Sequence, residues 1–137
     1  MTNTPVEKAF TIDTSSIKFG PGITDETGFE LDRLGARRVM VVTDSQMATS
    51  QAVKRATESL RRQRIDHTVF NQVSVEPTDD SLKQAIRFAT EGKFDGFLAV
   101  GGGSSIDTAK AANLYSTYPG DFLEYVNAPI GRGTPIP

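Results

Sequence analysis

The chain has 137 residues, the size of one domain with a core of its own. Its 15 basic and 17 acidic residues leave a net charge of −2, which argues against nucleic acid or an anionic membrane surface as partner. With no cysteine and a single histidine, His67, it excludes disulfides, thiolate chemistry and an intact His-rich metal cluster within these residues. No apolar run approaches the ~18 residues of a membrane span. The opening MTNTPVEKAF lacks the charged-then-apolar layout of a signal peptide. The expectation is a soluble, cytoplasmic protein forming one domain over residues 1–137.

In chain order, Ala9-Phe10-Thr11-Ile12 and Ser16-Ile17-Lys18-Phe19 are short β-type runs around Asp13-Thr14. They predict an N-terminal β-hairpin, closed by the turn Gly20-Pro21-Gly22. Over residues 23–34, Ile23, Phe29, Leu31 and Leu34 trace a loose helical face, with Asp25 and Glu26 at its positive end and Gly35 at its stop. Val39-Met40-Val41-Val42 is a continuous apolar run ending at Thr43-Asp44, the pattern of a strand buried on both faces. A crossover helix over residues 51–63 follows, with Ala52, Ala56 and Leu60 as its packed stripe. Its polar side carries Lys54, Arg55, Arg61 and Arg62, with Arg64 just beyond, and reads as a solvated face. His67-Thr68-Val69-Phe70 is the next short strand, and His67 has no companion residues that would make a ligand set. Residues 71–80 form a loop with cap chemistry at Thr78 or Asp79. Leu82, Ala85, Ile86 and Ala89 mark the buried face of a third helix ending at Gly92. A strand over residues 95–100 then leads into a fourth helix, whose inward positions are Ile106, Ala109, and Ala112 or Asn113.

The junction between that strand and that helix is the most informative stretch. Phe97-Leu98-Ala99-Val100 stops at Gly101-Gly102-Gly103, and a helix-type sequence begins at once. A strand, a tight glycine turn and a helix start present backbone N–H groups to an anion, phosphate above all. Ser104 and Ser105 are suited to capping, and Asp107 falls in the first helical turn. The spacing is not that of a Walker loop, because Lys110 lies well inside the helix, and it does not meet GxGxxG either. Strands alternating with helices predict an α/β sandwich with a mainly parallel sheet, whose ligands sit beyond the carboxyl ends of the strands. Asp44 falls on the same edge. A carboxylate there can accept the hydroxyls of an adenosine ribose and would repel a 2′-phosphate, favouring NAD over NADP. Thr43-Asp44-Ser45 is equally ordinary N-cap or Asx-turn chemistry, and the pattern leaves both readings open.

FGPG at 19–22, VVTD at 41–44, VEPTDDS at 75–81 and AVGGGSSIDTAKAANLY at 99–115 together resemble the N-terminal half of the iron-containing alcohol dehydrogenases. DFLEYVNAPIGRGTPIP at 121–137 resembles the hydroxyacid-oxoacid transhydrogenase branch in particular. The resemblance implies a Rossmann-like three-layer sandwich, a dehydroquinate synthase-like N-terminal domain, that binds NAD across the mouth of its sheet. Gly101, Gly102, Gly103 and Ser104 match the pyrophosphate turn, Asp107 the acid that follows it, and Asp44 the adenosine-ribose acid. Many members of the wider family carry asparagine near the cofactor where this chain has Glu76.

The resemblance further implies hydride transfer between the nicotinamide and a small alcohol or hydroxyacid, in an enzyme that forms homo-oligomers. In the transhydrogenase branch, a second, oxoacid substrate recycles the bound cofactor. Fe(2+) or another divalent metal would be held by an aspartate and histidines of a helical C-terminal domain absent from these residues. Thr134-Pro135-Ile136-Pro137 reads as a break before a further strand, so the expectation is a fragment inactive by itself. The alternative is a stand-alone, non-catalytic module that binds a nucleotide or a partner. Dehydroquinate synthases and glycerol-1-phosphate dehydrogenases share the glycine turn, but FLEYVNAPIG argues against them.

Overall fold

The structure, a computed structural model, describes residues 15–137. A 3₁₀ turn over Ile23–Glu26 runs into α1 (Thr27–Arg33), followed by the strand β1 (Arg38–Val42). A second 3₁₀ turn (Met47–Thr49) leads to α2 (Gln51–Arg62), β2 (Asp66–Phe70), α3 (Asp79–Gly92), β3 (Gly96–Ala99) and α4 (Gly103–Thr117). The strands lie in the order β2-β1-β3 and all are parallel, with Val42 opposite both Phe70 and Ala99.

The central strand explains the apolar run that predicted it. Side chains alternate across a sheet, and here both sides are covered. Val39 and Val41 pack with Ala36, Leu60 and Ile65 on one face. Met40 and Val42 pack with Phe70, Val73, Ala85, Ala89, Ala109 and Ala112 on the other. All four are 0% exposed. Helices α1 and α2 meet on the first face and α3 and α4 on the second, which makes the three-layer α/β sandwich expected from the sequence.

Local chemistry sets the helix ends. Ser50 caps α2 by accepting from the Val53 amide, and Thr78 caps α3 in a reciprocal box with Ser81. Gly28 lets α1 lie directly on α2: its amide donates to Ser59 Oγ at 2.9 Å, and a Cβ there would stand 2.2 Å from the Ser59 carbonyl oxygen. Beyond α4 the chain is irregular but fastened. Tyr115 Oη donates to the Phe122 carbonyl, and the Tyr115 ring meets those of Phe122 and Tyr125 at 5.6 and 5.4 Å. Burial pushes the Tyr115 phenol above its ordinary value.

Three expectations need correction. Residues 16–19 form no strand, and the other run of the expected hairpin, residues 9–12, lies outside the described residues. On α4, Ile106 is 43% exposed and Asn113 is exposed, while Ser105, Thr108, Ala109, Ala112 and Tyr115 are buried. Small residues turn inward because α4 lies close against α3 and β3. On α2, Val53 joins Ala56 and Leu60 in the buried stripe, and Ala52 is half-buried. Among the described residues no helix is long and apolar enough to cross a membrane.

Candidate functional site

Strand β1 feeds α2 on one face of the sheet, and its neighbour β3 feeds α4 on the other. Adjacent strands whose connections leave in opposite directions open a crevice beyond their carboxyl ends, where ligands of open parallel sheets bind. Asp44 follows β1 at that edge, and residues 101–104 follow β3.

The three glycines of the turn have different roles. Gly101 has φ +151°, and a Cβ there would come within 2.6 Å of Ser105 Oγ and 3.2 Å of Ser105 Cβ, so the turn itself requires glycine. Gly102 is the N-cap of α4 in extended conformation, and no side chain caps this helix. A Cβ at Gly102 or Gly103 would meet nothing within 4 Å. The backbone at these two positions is unobstructed, and it leads into the first amides of α4, which carry the positive end of a 15-residue helix. That is a cradle fit for a phosphate-sized anion. Ser104 and Ser105 therefore lie inside the first turn of α4 rather than capping it, Ser104 half-buried and Ser105 1% exposed. Asp107 lies in the second turn, not the first, and is exposed.

Of the two readings that the sequence left open for Asp44, the structure shows one. Oδ1 accepts from the amides of Gln46 and Met47, both at 2.8 Å, which is the Asx-turn reading. Oδ2 lies 3.9 Å from the point a Gly101 Cβ would occupy, facing the glycine turn. One carboxylate oxygen thus shapes its own loop, and the other lies beside the glycine turn. Thr43, fully buried beside it, donates from Oγ1 to the Val100 carbonyl at 2.7 Å and joins the ends of β1 and β3. The sequence reading passed over this residue, although a hydroxyl in a strand buried on both faces has to find a partner.

Glu76 lies exposed in the loop between β2 and α3, with φ +57°. Three surface grooves, of about 260, 610 and 430 Å³, are lined by other residues, among them Tyr115, Tyr118 and Glu30, and not by Asp44 or residues 101–104. Among the described residues no three His, Asp or Glu side chains come together to hold a metal ion.

The matching family model is that of iron-containing alcohol dehydrogenase, over residues 14–137. The mitochondrial hydroxyacid-oxoacid transhydrogenase of Bos taurus is 50% identical over 129 residues, 93% of this chain and 28% of that protein. The Homo sapiens protein of the same name is 47% identical over the same shares. Among solved structures, the NADH-dependent butanol dehydrogenase A of Thermotoga maritima matches with a TM-score of 0.76 at 27% identity, over 84% of this chain and 29% of that one. A 1,3-propanediol oxidoreductase matches at 0.74 and 27% identity, over 79% and 28%. The chain therefore spans under a third of the proteins it matches. The relatives named mitochondrial overturn the cytoplasmic expectation and point to the mitochondrion. The family model covers every described residue, and the Bos taurus relative is 50% identical over 93% of the chain: the chain belongs to the iron-containing alcohol dehydrogenase family.

Proposed function

We propose that residues 1–137 form the dinucleotide-binding domain of an NAD-dependent oxidoreductase acting on a small alcohol or hydroxyacid, of the hydroxyacid-oxoacid transhydrogenase kind. The observation that carries this reading is the convergence of Asp44 Oδ2 and the uncapped, glycine-fronted start of α4 on one crevice. Bound NAD supplies a carbon that accepts or returns a hydride. The residues of this chain hold and orient it. The first amides of α4 and the Ser104 hydroxyl donate to the pyrophosphate, and Gly102 and Gly103 let the phosphate oxygens approach the backbone. Asp44 Oδ2 accepts from an adenosine-ribose hydroxyl, while the Gln46 and Met47 amides keep the carboxylate from rotating away. Asp107, one turn further along α4, is exposed. The described residues offer no fit for the metal in the family's name, and no step is routed through one.

The test is a calorimetric titration of the chain with NAD and with NADP, repeated on Asp44→Asn. Asparagine keeps a carbonyl oxygen for Gln46 and Met47, so the loop survives and only the charge is lost. Two unit charges at ~4 Å repel by about 1 kcal/mol in water and about 4 kcal/mol at an effective dielectric of ~20. Wild type should therefore prefer NAD by at least about fivefold. Asp44→Asn should bring the two affinities close together. An unchanged preference in folded Asp44→Asn refutes the role of Asp44, and a folded wild type that binds neither nucleotide refutes the reading as a whole.

A further inference from the structure

We infer that Thr43 is a positioning residue that sets the separation between the two halves of the proposed dinucleotide site, an inference that rests on that reading of the crevice. Three elements meet at Thr43. Its amide donates to the Phe70 carbonyl at the end of β2 (2.9 Å), and its carbonyl accepts from the Val73 amide at 3.4 Å. Its hydroxyl donates to the Val100 carbonyl at 2.7 Å. Val100 immediately precedes Gly101, and its own amide donates to the Val42 carbonyl at 2.9 Å. The ladder bond between Val100 and Val42 is the last that β1 and β3 share, and the hydroxyl adds one further tie beyond it. On the β1 side that tie sits next to Asp44, and on the β3 side next to the glycine turn.

The arrangement determines how far Asp44 Oδ2 stands from the first amides of α4. Gly101 turns the chain at φ +151° against Ser105, which is 1% exposed, so the turn cannot swing independently of α4. Asp44 is held by the Gln46 and Met47 amides, so it cannot swing independently of its loop. Each half is rigid within itself, and the Thr43 hydroxyl bridges the two. A dinucleotide must contact both halves at once, so a loosened bridge weakens binding even when each half keeps its own shape. Thr43 is 0% exposed and touches no ligand; it acts through its neighbours.

The test compares Thr43→Val, which keeps the branched shape and removes the hydroxyl, with Thr43→Ser, which keeps the hydroxyl and removes a methyl. Both are titrated with NAD, and the amide resonances of residues 101–104 are recorded before NAD is added. Thr43→Val should bind NAD roughly five- to tenfold more weakly, with those resonances displaced, the scale set by losing one buried hydrogen bond. Thr43→Ser should bind within about twofold of wild type, with the resonances in place. Equal binding by wild type and Thr43→Val, or equal weakening by both variants, overturns the inference, since the latter would assign the effect to packing. Should wild type not bind NAD, the cofactor reading fails while the resonances still decide for Thr43: displacement in Thr43→Val but not in Thr43→Ser sustains the bridge, and no displacement overturns it. Should Thr43→Val not fold, the wild-type hydroxyl proton decides instead. Slow exchange of that proton sustains the bridge, and fast exchange overturns it.

Discussion

Gly101→Ala and Gly103→Ala add the same methyl group two positions apart, with opposite consequences expected for the fold. At Gly101 the new carbon would stand 2.6 Å from Ser105 Oγ and 3.2 Å from Ser105 Cβ, at φ +151°. Positive φ in a residue with a side chain costs roughly 1–3 kcal/mol, and Ser105, itself buried, has little room to retreat. A loss of about 2–3 kcal/mol of stability follows, and for a domain of this size a fall in Tm of about 6–12 °C. At Gly103 the methyl would meet nothing within 4 Å, and the residue is already the first of α4. Alanine there should leave stability unchanged or raise it by a few tenths to about 1 kcal/mol, because it restricts the unfolded chain and favours helix. Its methyl nevertheless fills the space assigned to the pyrophosphate. Losing charge-assisted hydrogen bonds of about 1.5–3 kcal/mol weakens NAD binding by roughly ten- to a hundredfold. Thermal unfolding followed by circular dichroism, together with calorimetric titration of both variants, reads the two effects separately. A Gly103→Ala chain that binds NAD as wild type does would refute the cradle, and an unshifted Tm in Gly101→Ala would refute the account of the turn.

Gly28 offers the contrast of a glycine that serves the fold alone. Gly28→Ala would place Cβ 2.2 Å from the Ser59 carbonyl oxygen, a backbone atom that cannot turn aside, so α1 must lift off α2. A loss of about 3 kcal/mol or more in urea unfolding is expected, with the NAD affinity of the folded fraction unchanged; a neutral substitution would count against the packing described. The loop after α4 should respond to acid. Glu124 is held below its ordinary 4.5, first by the Thr134 hydroxyl that donates to it at 2.6 Å, against some desolvation, and further by Arg132. A carboxyl lowered in the folded state adds stability above its unfolded value and loses it as pH falls through the folded one. The amides of Arg132, Gly133 and Thr134 should therefore lose exchange protection below pH 4.5. Protection that does not fall with acidification at all would contradict the arrangement.

The parts of the fold legible in the sequence were those where burial leaves a pattern. Val39 to Val42 reads as a strand because both of its faces are covered, and the structure buries all four residues. The start of α3 carries its own capping chemistry at Thr78, while the Ser50 cap of α2 was not singled out by the sequence. On α4, Ala109 and Ala112 face inward as their spacing predicts, but apolarity is no guide to Ile106. Against a close sheet, size decides instead, so Ser105 and Thr108 go inside and Ile106 stays out. The run at residues 16–19 has strand-like composition but finds no strand partner among the described residues, and composition does not supply pairing. At the crevice the glycines were legible, but the division of labour among them was not. That Gly101 shapes the turn while Gly102 and Gly103 are unobstructed depends on where Ser105 stands. At Asp44 the Asx turn was legible in Thr-Asp-Ser as one of two readings, and the nearness of its other oxygen to Gly101 was not. Thr43 was hidden because its partner, the Val100 carbonyl, is 57 residues away in sequence.

The most direct measurement is a titration of the chain with NAD, followed by the amide resonances of every residue. The account requires saturable shifts that are largest at Gly101, Gly102, Gly103, Ser104 and Asp44. A folded chain that shows no saturable shifts, or shifts centred on the groove beside Tyr115 and Phe122, would contradict it.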